Sequence, residues 1–156
     1  MSYKIIQPIK AQFALQTKLF NTELESISEE KSIISIGNTH NSIKWLAGHL
    51  LNTRYVVISI LTQTPLDTDF AKLFGKGSTG KVDETYPSLE EIKFRWNESA
   101  KDLNDILESK TNEELLVKPP FQTSIPDETL LGFIAYMSYH EAFHLGQLSI
   151  LKRFDN

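Results

Sequence analysis

Four segments of this 156-residue chain repeat their apolar residues at intervals of three and four, and no stretch sustains the period-two alternation of a half-buried strand. The first segment runs from about Lys4 to Leu24, with Ile9, Phe13, Leu19 or Phe20, and Leu24 on one face. Pro8 falls in its first turns, where a missing N–H does little harm. The second runs from about Ser42 to Thr62, with Asn41 or Ser42 placed to cap it. The third runs from about Leu89 to Lys110 and opens on Ser88-Leu89-Glu90-Glu91, a capping-box spacing. The fourth runs from about Glu128 to Arg153. Rods of about 20 residues are roughly 30 Å long. Four amphipathic rods in one small chain predict an all-α fold, a four-helix bundle forming one domain over residues 1–156.

The connections are uneven. Gln63 to Ser88, with Pro65, Gly75, Gly77, Gly80 and Pro87, is long for a tight hairpin and predicts a crossover that lets the second and third helices run parallel. Between the third and fourth helices, Thr111-Asn112-Glu113-Glu114-Leu115 suits a short helical turn ahead of Pro119-Pro120. Both connections are expected over the ends of the bundle, where they shape the mouth of a pocket.

Composition then removes whole classes of chemistry. There is no cysteine, so disulfides, Cys-ligated zinc, iron–sulfur clusters and a cysteine nucleophile are excluded, and any thiol must come from outside. The formal net charge of -4, with no Lys/Arg cluster, argues against nucleic acid as a partner. The residues from Met1 to Pro8 lack the apolar core of a signal peptide, and the longest apolar run, Tyr55 to Leu61, is far too short to span a bilayer. A cytoplasmic protein with no membrane partner is expected.

The chemistry concentrates in Tyr139-His140-Glu141-Ala142-Phe143-His144-Leu145-Gly146-Gln147-Leu148. His140 and His144 stand at i and i+4, the spacing by which one helix face offers two imidazoles to one metal. They fall in the series Phe133, Met137, His140, His144, Leu148, Leu151, which reads as the buried stripe of a bundle helix. Burying two imidazoles among apolar side chains costs free energy unless each finds a partner, and a metal satisfies both. His49 in the second helix, with Trp45 and Val56 on its side, is the candidate third ligand; His40, just before that helix, reads as a surface or capping residue. Spacing alone leaves a shared metal and merely packed histidines both open.

The same five residues spell H-E-x-x-H, the zinc-protease signature. Those proteases take a third ligand downstream, yet only twelve residues follow His144, and Ile150 stands where a third histidine would be. The Glu-x-x-His of di-iron bundles also needs a second copy, and neither His40 nor His49 has a Glu three residues earlier. Both assignments are rejected.

In length, layout and two motifs the chain resembles the DinB-like (YfiT-like) superfamily of four-helix-bundle metalloproteins. The motifs are Trp45-Leu46-Ala47-Gly48-His49-Leu50 and His140-Glu141-Ala142-Phe143-His144-Leu145-Gly146-Gln147, the second close to an H-E-x-x-H-x-G-Q ending. The resemblance implies a bundle with a long crossover after the second helix, a divalent metal held by His49, His140 and His144, and pairing as a homodimer. It also implies a small-molecule substrate. Some relatives are thiol-dependent S-transferases or isomerases that use a low-molecular-weight thiol, others carry the label of metal-dependent hydrolases, and many have no established activity.

Three histidines leave a coordination position open, as catalytic zinc sites do. That position lowers the pKa of a bound water for hydrolysis, or takes a thiol as its thiolate. Imidazoles suit zinc and nickel first, with iron, manganese or copper as alternatives. Glu141, one residue past His140, is the candidate catalytic residue as a general base, and alternatively the hydrogen-bond partner that fixes a ligand ring. Gln147 is expected to hydrogen-bond across the bundle, Gly146 to permit close helix packing, and Trp45 and Tyr139 to pack in the core near the ligands. The functional expectation is a metal-dependent transferase or hydrolase. The alternative is a bundle with a metal-binding or stress-response role and no turnover.

Overall fold

Short polar side chains set where the helices begin. The computed structural model describes residues 3–35, 41–78, 80, 86–123 and 125–153, and contains seven helices and no strand among them. They are α1 (Gln7–Leu24), α2 (Glu29–Ser32), α3 (Ile43–Thr62), α4 (Thr68–Phe74), α5 (Leu89–Ser109), α6 (Asn112–Leu115) and α7 (Leu130–Arg153). Ser42 and Ser88 cap α3 and α5, their hydroxyls accepting from the N–H of Trp45 and Glu91. The expected turn after α5 is α6, closed by a complete capping box between Thr111 and Glu114. Two helices start later than their apolar pattern suggests. Ahead of α1, the Ile5 N–H is drawn off to Asn112 Oδ1 at 3.1 Å. Ahead of α7, Asp127 Oδ1 accepts from the Thr129 N–H and hydroxyl, and Thr129 Oγ1 accepts from the Gly132 N–H.

The long helices pack in a square. α3 lies against α5 and α7, and α1 lies against the same two. One apolar cluster joins Phe20 and Leu24 late in α1, Leu46 and Leu50 early in α3, Ile92 and Trp96 early in α5, and Leu145 and Leu148 late in α7. The other joins Phe13, Val57, Leu61, Leu103, Leu107 and Ile134 from the opposite halves. α3 and α5 therefore run parallel, antiparallel to α1 and α7, and the connection between them must cross the length of the bundle as its own length predicted. Within that crossover α4, capped by Asp67, lays Phe70 and Phe74 against α3.

One expectation about α7 is corrected. Its buried line is Ile134, Ser138, Glu141, Leu145 and Leu148, one residue round from the stripe read in the sequence. Two members of that line are polar and hid it from an apolar-spacing search. His140 and His144 sit on its flank, half-buried where α7 meets α3, rather than facing the interior.

Candidate metal centre

His49, one turn and a half into α3, faces His140 and His144 on the antiparallel α7. Each ring offers one nitrogen to a common point, and the three atoms lie within 4.8 Å of one another. The ring centroids are 5.3 Å apart for His49 and His140, 4.7 Å for His49 and His144, and 4.4 Å for His140 and His144. His49 Nε2 is 3.1 Å from His140 Nε2. Two imidazoles on one tetrahedral zinc, with bonds of about 2.05 Å, hold their nitrogens about 3.3 Å apart. The pair is thus already spaced as a divalent ion requires.

The surroundings fix which nitrogens are free. His49 Nδ1 lies 2.7 Å from the Phe74 carbonyl, which can only accept, so Nδ1 carries the hydrogen and Nε2 keeps its lone pair. His144 Nδ1 lies 2.7 Å from Gln147 Oε1, which fixes the same tautomer. The sequence supports the first of these contacts through Gly48. A Cβ there would come within 2.1 Å of the Phe74 ring, so glycine is what lets α4 settle on α3 with its last carbonyl over His49. Trp45 stacks on the other side, 4.9 Å from the His49 ring and 9° from parallel, and its Nε1–H donates to Ser78 Oγ.

Burial lowers the pKa of all three histidines. For His140 it acts with the neighbouring His144 and His49 to bring the value to about 4. Neutral imidazoles are the form that ligates a divalent cation, and in His49 and His144 the Nδ1 contacts leave Nε2 as the free-electron-pair nitrogen.

Glu141 stands apart from the cluster. Its carboxylate, wholly buried, accepts from Arg54 Nε at 2.5 Å and from Nη2 at 3.2 Å. Arg54 in turn lies 3.4 Å over the Trp96 ring and donates to the Phe13 carbonyl. His49 and His144 hold Phe74 and Gln147 at Nδ1 and His49 meets His140 through Nε2, whereas the Glu141 carboxylate is held by Arg54 and bonds to none of the three rings. The signal for this pair is in the sequence: Arg54 is the one charge between Lys44 and Asp67, in an apolar helix that must find it a partner.

Three smaller expectations change. Gln147 bonds to His144 on its own helix, not across the bundle. Tyr139 is 65% exposed rather than packed in the core, and Tyr136 is the tyrosine beside His140, with centroids 6.4 Å apart. Gly146 is exposed with nothing near a notional Cβ, so it permits no close packing within this chain. His40 lies outside the described residues. None of the helices found is long and apolar enough to cross a membrane.

Comparison with known proteins agrees with this architecture. The fold is similar to a crystal structure described as the conserved protein of locus from Enterococcus faecalis, with a TM-score of 0.78 over 97% of this chain and 97% of that one at 13% identity. No curated protein matches the chain. The model of the DinB superfamily matches residues 8–148, nearly the whole bundle and all three histidines, and the chain belongs to that superfamily.

Proposed function

We propose that this protein is a metal-dependent enzyme whose three-histidine site binds a divalent ion and a low-molecular-weight thiol, and that it joins the intact thiol through its sulfur to an electrophilic carbon of a small molecule, the thiol proton and the displaced leaving group being released. The observation that carries the metal is the pairing of convergent Nε2 lone pairs with Nδ1 hydrogens already held by Phe74 and Gln147. Zinc or nickel is the proposed ion. When bound, it supplies a Lewis acid that favours the thiolate over the thiol. His49, His140 and His144 would hold it, the Phe74 carbonyl and Gln147 would orient two of the rings, and Trp45 would wall the site behind His49. The cosubstrate reading rests on the absence of cysteine from the sequence.

A hydrolase is the second reading. It is weakened by Glu141, because the acid that H-E-x-x-H enzymes use as their base is here bound to Arg54. Pairing as a homodimer is part of the proposal and rests on the family resemblance. Elemental analysis of untagged protein tests the site: about one metal per chain is expected in the wild type, and none in His49→Ala, His140→Ala or His144→Ala. Metal retained in the three variants, or refused by wild type on reconstitution with zinc and nickel, removes the reading. A metal-dependent rate with an ester but with no thiol and electrophile pair would select the hydrolase.

A further inference from the structure

The outward face of α7 carries no charge. Between Leu130 and Leu151 the one formally charged side chain is Glu141, and it is wholly buried. The contrast is with α5, whose exposed side carries Glu90, Glu91, Glu98, Lys101, Asp102 and Asp105. What α7 offers to solvent is Tyr139, Phe143 and Ile150, and across the seam α1 adds Leu15 and Leu19. These five side chains are between 41% and 65% exposed. Three of them, Leu15, Leu19 and Tyr139, line a groove of about 780 Å³ along the α1–α7 contact, with Ala135, Ala142 and Gly146 between them. Phe143 and Ile150 each stand four residues past Tyr139 and Gly146, and extend the same face along α7. The charged residue that lines the groove, Glu23, lies toward one end of it, 3.7 Å from Lys152.

Single exposed apolar residues are ordinary, but a contiguous patch is not. At about 200 Å² for a fully exposed large side chain, the five contribute on the order of 500 Å². With the smaller residues between them the face reaches roughly the 800 Å² that each partner gives to a stable pair. Its composition also selects the partner. Two copies meeting about a twofold axis bring the same surface together, so a net charge on that surface repels its own image. An uncharged face meets a copy of itself without that cost, and it has nothing with which to hold a partner of opposite charge. An anionic membrane calls for basic residues beside the apolar ones, and none lines this groove. Glu23 and Lys152 fall at the rim, where interfaces tolerate charge.

We infer that two copies of this chain pair through the α1–α7 face. Gly146, which meets nothing in its own chain, gives the partner's α7 room to approach. The inference rests on the pairing proposed above and gives it a place in the fold, argued from surface chemistry; it does not depend on whether the histidines hold metal.

Sedimentation velocity of the untagged protein over a dilution series tests it. Wild type should run at twice the chain mass. Leu15→Glu and Gly146→Glu each bring two like charges into the contact, one from each copy, and should weaken pairing at least about a hundredfold. Both positions are exposed, so both variants should keep the wild-type melting temperature and the wild-type metal content. Phe94→Glu, at an exposed phenylalanine among the charges of α5, should leave the pair intact. The inference is overturned if wild type stays monomeric at the highest concentration, if folded Leu15→Glu and Gly146→Glu pair as tightly as wild type, or if Phe94→Glu dissociates the pair as strongly as they do. Tight pairing in both variants would move the contact to another face and leave the metal-dependent enzyme standing. A wild type that pairs through this face but takes up no metal would remove the enzyme and keep the pair.

Discussion

Two polar constellations bridge the same pair of helices and have opposite characters. His49, His140 and His144 lie at the edge of the α3–α7 contact, with one nitrogen of each ring turned toward the other two. Arg54 and Glu141 lie in the interior, where both carboxylate oxygens are taken up in a two-pronged ion pair with Nε and Nη2. His140 and Glu141 are neighbours in sequence, and the rotation of about 100° per residue sends one to the rim and the other to the core. A ligand site needs donors that the fold has not consumed and a path to solvent, and the rim has both. An interior pair needs mutual satisfaction, and gives the bundle a fixed register in return.

The largest effect that could break this contrast is on the interior pair. Glu141→Ala leaves Arg54 charged and unpartnered in the core and should cost about 3–5 kcal/mol of stability, measured by urea unfolding. The double variant Arg54→Met with Glu141→Leu should recover most of that loss while keeping the metal. A Glu141→Gln protein that is fully stable and metal-loaded but catalytically dead would place Glu141 in the chemistry after all.

The second effect acts on the support beneath His49. Gly48→Ala drives a methyl into the Phe74 ring, and the bundle must shift α4 to relieve it. Overpacking of this kind costs about 1–3 kcal/mol. It should also weaken metal binding, because the Phe74 carbonyl moves away from Nδ1. Equal stability and equal affinity in that variant would mean that the carbonyl does not orient the ring.

How much of this was visible in the chain itself divides along the same line. The four rods, their serine caps, the crossover and the short turn at Thr111 could all be read, because each rests on local spacing or on one side chain bonding to backbone nearby. His140 and His144 could be read because ligand spacing on a helix is also local, whereas His49, on another helix, was joined to them by the family resemblance. The position of Glu141 could not. A buried line that contains Ser138 and Glu141 defeats a search for apolar periodicity, and its polar members are explained by Gln12, Gln16 and Arg54 on other helices. The same holds for Phe74, whose contribution is a backbone carbonyl that no side-chain pattern marks.

The third prediction concerns the partner on α7. Gln147→Leu removes the acceptor for His144 Nδ1 while leaving all three ligands in place. Loss of such a partner lowers metal affinity by about 10–100-fold. Competition with a chromophoric chelator reads this directly, and an unchanged constant would show that the ring is held by packing alone, against Phe143 on its edge.

The smallest effect is the pH dependence of the metal-free protein. A free histidine titrates near 6.5 in the unfolded chain, whereas in the fold burial, with His144 and then His49 nearby, lowers His140 to about 4 and burial lowers His49 and His144 as well. Below about pH 6.5 the unfolded state therefore binds protons that the folded state refuses, and stability must fall as the pH falls toward 4. It is fully present above 6.5, the reverse of what a histidine in an ion pair would give. The His140 and His144 rings are only half-buried, so solvent screens their effect to on the order of 1 kcal/mol. Thermal melts of the apo wild type and of His140→Ala from pH 7.5 to 4 separate the contribution: the variant should lose less over that window. Identical slopes would mean that the rings are solvated before metal arrives, and that the ion itself draws the rim of the site together. In that case the two constellations would differ further still, one built by folding and the other completed by its ligand.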